Sequence, residues 1–93
     1  VSRGLGDVYK RQLQDSGKND EAMEHFREAL VIAEANDLRM QIGELLIRLG
    51  SVAQEKSRRM EYLQRALSVF RELGAKSRMR EVQNRVHNAV MGR

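Results

Sequence analysis

The sequence contains no cysteine, no proline and no tryptophan, and only two tyrosines and two phenylalanines among 93 residues. Without cysteine the chain has no disulfide, no thiolate metal site and no cysteine nucleophile. The chain has a charged fraction of 32% and many Ala, Leu, Glu and Arg residues, which lose the least freedom on entering a helix. With no proline to interrupt them, helices are favoured throughout. We therefore expect one small all-α domain.

Long apolar runs are also missing. No stretch approaches the roughly 20 apolar residues that a membrane-spanning helix requires, and the N-terminal residues lack the apolar core of a secretory signal. The sequence therefore predicts cytoplasmic residence.

The charge is unevenly distributed. Residues 1–54 carry seven Lys or Arg against nine Asp or Glu, whereas residues 55–93 carry ten against four. A basic C-terminal part can meet an acidic peptide, an acidic domain or nucleic acid, although charge runs are most often solvated helix faces.

An octapeptide occurs twice, thirty-seven residues apart: MEHFREAL begins at Met23 and MEYLQRAL begins at Met60. Self-similarity at a fixed period of this length is typical of helical repeat arrays, in which each unit buries its apolar stripe against its neighbours.

The N-terminal segment has a different character. Residues 2–12 resemble the in-frame translation of a transposase-type sequencing-library adapter, with all eleven codons matching. We interpret residues 1–12 as a non-native segment and residues 13–93 as the helical repeat domain. On this interpretation the sequence is a metagenomic fragment whose natural chain extends upstream of Leu13.

Apolar residues at three- and four-residue steps predict four helices, over residues 20–35, 38–54, 58–73 and 78–91. A cluster of turn formers at residues 15–19 precedes the first helix. Gly74 is expected to end the third helix in a left-handed conformation. The expected N-caps are Asn19 or Asp20, Asp37, Ser57 and Ser77.

The second predicted helix is the most apolar and should be the most buried. Its stripe includes Leu38, and it carries two glycines, Gly43 and Gly50. A glycine inside a helix costs about 1 kcal/mol relative to alanine, so we expect a neighbouring helix to approach closely at both. The last helix is more sparsely apolar and should form the edge of the stack.

The pattern Ala22-x-x-x-Phe26-x-x-Ala29 resembles the second helix of the tetratricopeptide repeat (TPR) family, and Leu49-Gly50 resembles the Leu-Gly pair of its first helix. The resemblance covers Leu13 to the C-terminus and is strongest to the longer-helix variants of bacterial signalling proteins and transcription regulators. It implies a short right-handed solenoid of antiparallel helix pairs. The period of thirty-seven departs from the family's thirty-four.

The resemblance also implies a binding face and a function. In TPR arrays the first helices line a concave groove that holds a partner, and the matching positions form this list: Glu44, Ile47, Arg48, Ser51, Glu81, Asn84, Arg85 and Asn88. We hypothesise a non-catalytic scaffold, part of a larger bacterial signalling or regulatory protein, that binds a protein or acidic peptide there. With barely two repeats, the fragment should be marginally stable, homodimeric or dependent on missing repeats.

Arg48 and Arg85 are thirty-seven residues apart, so they occupy equivalent positions. Together they can grip a carboxylate through bidentate bonds. The competing interpretation pairs each arginine with the glutamate four residues before it, Glu44 or Glu81, at the spacing favoured on helices.

The sequence predicts no catalytic residue, metal site or cofactor, because no nucleophile–base pair, phosphate loop or set of metal ligands is legible. His25 and His87 lie on predicted helices without partners at metal-ligand spacing. An alternative function is nucleic-acid binding or dimerisation within a transcription regulator. The basic residues that would contact nucleic acid are Arg58, Arg59, Arg65, Lys76, Arg78 and Arg80.

Overall fold

The computed structural model describes residues 3–91 of the chain, and its side chains over residues 18–91. This part is all-helical, without a strand, which confirms the expected all-α class. The helices are α1 (Arg3–Ala35), α2 (Arg39–Val52), α3 (Lys56–Leu73) and α4 (Lys76–Val90). The predicted division at residues 12 and 13 falls within α1, where side chains lie outside the described residues, and it stays a prediction.

Helix α1 is much longer than expected. It spans 33 residues and passes without interruption through residues 15–19, so the predicted turn there and the predicted caps at Asn19 or Asp20 are wrong. Turn-forming side chains lower helix propensity by less than about 1 kcal/mol each, and without proline no residue in this segment blocks the helical hydrogen bonds.

Consecutive helices pack against each other: α1 contacts α2, α2 contacts α3, and α3 contacts α4. The connections contain only two or three residues, so each helix folds back along the one before it. Both α2 and α4 pack on α3, and two side-chain hydrogen bonds link α2 directly to α4.

The core lies where α2 meets α3. Leu46 and Leu49 from α2, Phe70 from α3 and Val82 from α4 are its largest fully buried side chains. Helix α2 contributes more buried residues than α3 or α4, as its apolar stripe predicts. Leu38 is 42% exposed, so its expected place in that stripe is wrong, because it precedes the first turn of α2.

Helices α1 and α3 end in the same way. Asp37 follows α1 with φ 53°, and Gly74 follows α3 with φ 69°. At each site the N–H of the following residue donates to the carbonyl five residues before it. Leu38 N–H donates to the Ala33 carbonyl and Ala75 N–H to the Phe70 carbonyl, both at 2.9 Å. These are Schellman ends, and the prediction for Gly74 is confirmed.

The three N-caps expected in the connections are wrong. The observed N-cap residues are Leu38, Glu55 and Ala75, none of which makes a side-chain capping bond. Leu38 and Ala75 already close the preceding Schellman turn, so one residue both ends a helix and begins the next. Asp37 therefore lies one residue before the N-cap of α2, and Ser57 and Ser77 lie inside the first turns of α3 and α4.

The glycines of α2 face α3, as expected. A Cβ atom on Gly43 would lie 2.5 Å from Cζ of Phe70, and one on Gly50 would lie 3.2 Å from Cγ of Leu63. The first separation is far below van der Waals contact, so only glycine lets α2 approach the Phe70 ring. Within the described part of the chain, no helix is both long and apolar enough to cross a membrane.

Candidate partner-binding surface

A groove runs between α2 and α4, which we call the α2–α4 groove. Its volume is 290 Å³, and its lining residues are Glu44, Ile47, Arg48, Ser51, Arg78, Glu81 and Arg85. Ile47 is buried and forms the floor, while the charged residues form the rim. The two helices therefore present one continuous polar surface.

Arg78 holds the two sides of the groove together at one end. Its Nη2 donates to Oε1 of Glu44 on α2 at 2.6 Å, and its Nη1 donates to Oε2 of Glu81 on its own helix at 3.2 Å. Since one guanidinium satisfies two carboxylates, both glutamates are partly neutralised. Sequence analysis missed this link, because only the Arg78–Glu81 spacing can be recognised within one helix.

A second link crosses the groove seven residues, or about two helical turns, further along. Arg85 Nη1 donates to Oγ of Ser51 at 3.2 Å, and Arg85 Nη2 lies 3.6 Å from Oε1 of Glu81. The Ser51 hydroxyl in turn donates to the Ile47 carbonyl at 3.0 Å. Arg85 is thus positioned toward α2, and its pairing with Glu81 at the four-residue spacing is confirmed.

Arg48 behaves differently. The expected pairing of Arg48 with Glu44 is wrong, because Glu44 turns to Arg78 across the groove. Over residues 18–91 no carboxylate forms an ion pair with Arg48, and its side chain is exposed on the rim. The two equivalent arginines therefore differ: Arg85 is held by neighbours, and Arg48 is available to a ligand.

Beside the α2–α4 groove lies a second cavity of 340 Å³, which we call the α4 end pocket. It shares Ser51 and Arg85 with the groove and adds Arg59 and Asn88. The two cavities thus bring together seven of the eight predicted partner-binding positions. Asn84 is exposed and lines neither cavity.

Half of the basic residues proposed for nucleic-acid contact make internal interactions. Arg59 donates from Nε and Nη2 to the Ala53 carbonyl at 3.3 and 3.0 Å, where α2 ends. Arg58 lies 3.8 Å from Glu55, and Arg78 bridges two glutamates. Arg65, Lys76 and Arg80 are exposed.

Neither histidine lines the α2–α4 groove or the α4 end pocket. His25 and His87 are exposed on different helices. Over the described residues, no three His, Cys, Asp or Glu side chains come together in a way that could hold a metal ion.

Comparison with known proteins returned no match: no family model, no curated protein and no solved structure is similar to this chain. The class of the protein therefore follows from its fold. It is an all-α protein in which consecutive helices pack on one another and the second and fourth helices share a charged groove.

Proposed function

We propose that this chain is a non-catalytic interaction scaffold that binds a protein or peptide partner along the α2–α4 groove. The observation that carries the proposal is that Arg48, Ser51 and Arg85, from two helices, line one groove. Binding sites use a small number of convergent polar groups in a concave surface to fix the orientation of a ligand.

The chemistry of the groove favours an acidic ligand. Arg78 already engages Glu44 and Glu81, which leaves Arg48 and Arg85 as the groups that can take an additional carboxylate. A guanidinium has five N–H donors, so Arg85 can hold Ser51 and still receive a ligand oxygen. An extended peptide with an Asp or Glu side chain is the ligand that these donors fit best.

The proposed architecture is a TPR-like right-handed stack. Short connections, packing of consecutive helices and equivalent helix ends thirty-seven residues apart support it. In such a stack α2 and α4 are the first helices of successive repeats. The chain would then be one part of a larger bacterial signalling or regulatory protein, with this groove as its recognition face.

The test is an NMR titration of the isotope-labelled chain with a short peptide in which Glu alternates with Ser. We expect the largest amide shifts at Arg48, Ser51 and Arg85, which line the groove, and smaller shifts at Asn88 in the adjoining pocket. A peptide with Gln in place of Glu serves as the control and should produce much smaller shifts. Shifts concentrated on the exposed face of α3 would overturn the proposal.

Duplex DNA distinguishes the nucleic-acid alternative in the same assay. Binding through phosphates falls steeply with salt concentration, since counterions are released. No contact among the described residues favours this alternative, because Arg58, Arg59 and Arg78 are engaged internally.

A further inference from the structure

A second groove lies between α1 and α2 and shares only Glu44 and Arg48 with the α2–α4 groove. It has a volume of 340 Å³, and its walls include Ala29, Ile32, Ala33, Leu38, Leu45 and Arg48. Ile32 is 61% exposed and Leu38 is 42% exposed. Large apolar side chains held at this exposure around a cleft are typical of an interaction surface. We call this cleft the α1–α2 groove.

The same positions are more deeply buried in the second half of the chain. Thirty-seven residues after Ile32 and Leu45 are Val69 and Val82. Ile32 is exposed where Val69 is half-buried, and Leu45 is half-buried where Val82 is fully buried. These positions are better covered because α2 lies over the junction of α3 and α4: Gly43 abuts the Phe70 ring, and Ser51 accepts a bond from Arg85. Over the described residues, no helix lies in this way over the junction of α1 and α2.

The segment before the groove does not cover it, since α1 continues as one helix from Arg3 to Ala35. We propose that the α1–α2 groove binds an amphipathic α-helix of a partner protein, seated against α1 and α2 as α2 is seated against α3 and α4. The α1–α2 groove shares Glu44 and Arg48 with the acidic-peptide site and is otherwise lined by different residues, and the inference does not depend on that site.

The size of the groove specifies one side chain of the partner helix. Phe70 fills the space beside Gly43 so completely that a Cβ atom there would lie 2.5 Å from the ring. The equivalent position in the α1–α2 groove is the small residue Ala33. Ala33 is buried and carries no ring like that of Phe70. A partner helix can therefore carry a large apolar side chain where α2 has Gly43, and this side chain would pack against the exposed Ile32 and Leu38.

Arg48 specifies a second side chain. Its equivalent, Arg85, donates to Ser51 of the helix that lies over it and also contacts Glu81. Arg48 lacks the corresponding glutamate, since Glu44 is bound to Arg78. A carboxylate where α2 has Ser51 would therefore complement Arg48. The recognised helix has a large apolar residue followed, eight positions later, by Asp or Glu.

A second copy of this chain does not fit the description. The outer face of α4 would have to enter the groove in a head-to-tail stack. Where α2 has Gly43, Leu46 and Gly50, α4 has Arg80, Gln83 and His87. Charged and bulky polar side chains at these positions would be buried without partners, which is unfavourable.

The test uses two labelled peptides with the sequence of residues 38–53, titrated into the full chain by fluorescence anisotropy. One peptide is unchanged, and the other carries the substitutions Gly43→Phe and Ser51→Glu. We expect the substituted peptide to bind about tenfold more tightly, the effect of one well-placed anchor and one charge-assisted pair. Equal affinities, or no binding of the substituted peptide, would overturn the inference.

Two variants of the protein locate the binding. Ile32→Glu places a charge on the wall of the groove and should weaken binding of the substituted peptide at least about tenfold. Val31→Glu is the matched control, since Val31 is 65% exposed and does not line the groove, and it should bind as the parent does. Equal affinity of both variants would contradict the inference.

Three further measurements check that the variants fold, test for a dimer of the chain, and separate this groove from the acidic-peptide site. Circular dichroism checks that Ile32→Glu is folded, and Leu38→Glu replaces it if it is not. Sedimentation of the peptide-free chain tests for a dimer, and a dimer that Ile32→Glu dissociates would overturn the inference in favour of a second copy. Arg85→Ala should leave binding of the helical peptide unchanged, so this inference and the proposed function can fail separately.

Discussion

Asp37 and Gly74 occupy the same structural position in the two halves of the chain. Each has a positive φ, 53° and 69° respectively. In both halves the N–H of this residue donates to the carbonyl three residues before it, and the N–H of the following residue donates to the carbonyl five residues before that one. They are separated by thirty-seven residues, the distance between the two octapeptides. The chain thus uses an aspartate in one half where it uses a glycine in the other.

Substitution at these two sites should have opposite effects on stability. The left-handed conformation is strained for residues with a Cβ atom and unstrained for glycine. We therefore expect Asp37→Gly to raise the free energy of unfolding by about 0.5 kcal/mol and Gly74→Ala to lower it by about 1 kcal/mol. Urea denaturation followed by circular dichroism measures both values.

Asp37→Ala is the control, because it removes the carboxylate and keeps the strain. Apart from its two chain neighbours, no residue that the structure describes comes within 4 Å of a Cβ on Gly74, so its substitution reports on backbone conformation. A stabilising Gly74→Ala variant would contradict the assignment of these helix ends.

The two glycines of α2 should respond differently to alanine. A Cβ at position 43 meets the Phe70 ring at 2.5 Å, whereas one at position 50 meets Leu63 at 3.2 Å. We expect Gly43→Ala to lower the free energy of unfolding by about 1 to 2 kcal/mol through overpacking, even after the gain in helix propensity. Gly50→Ala should be close to neutral, because Leu63 needs to move only slightly.

Thermal denaturation of both variants checks this difference. Gly43→Ala should lower the melting temperature less in the Phe70→Leu background than in the parent chain, because the smaller side chain makes room for the methyl group. Strictly additive effects would contradict the proposed contact.

The bridge from Arg78 to Glu44 should contribute a small, salt-dependent stabilisation. The side chains are 44% and 38% exposed, so the contribution of the pair is limited to about 0.5 kcal/mol despite its 2.6 Å distance. We expect Arg78→Ala and Glu44→Gln each to lower the melting temperature slightly at low salt, with the double variant no worse than either alone. Arg80→Ala, on the same helix and exposed, should have no effect. Additive losses from Arg78→Ala and Glu44→Gln would contradict the bridge.

Much of the fold follows from local sequence patterns. The burial of Leu46 and Leu49, the close approach at Gly43 and the left-handed Gly74 were all predictable, because helical periodicity and glycine placement are local properties. The caps were not predictable, since Leu38 serves two helices at once and only the length of the connection makes this possible. The start of α1 was also missed, because weak turn propensities do not by themselves end a helix.

The candidate site was only partly predictable. The repeat offset placed Arg48 and Arg85 in equivalent positions, and both line the α2–α4 groove. The offset could not reveal that Glu44 binds Arg78 rather than Arg48, because that choice depends on the distance between two helices. For the same reason Asn84, on the correct helix, lies outside the cavities that its neighbours line.

The central claim is that the α2–α4 groove recognises an acidic partner, and its most direct test is the affinity of the peptide of alternating Glu and Ser for two variants. Arg85→Ala should weaken binding by about tenfold, the loss of one charge-assisted pair. The melting temperature should fall only slightly, because the contacts of Arg85 with Ser51 and Glu81 are exposed. Arg80→Ala removes the same charge from the same helix outside the groove and should bind like the parent chain. Equal affinities for the parent chain and the Arg85→Ala variant would contradict the account.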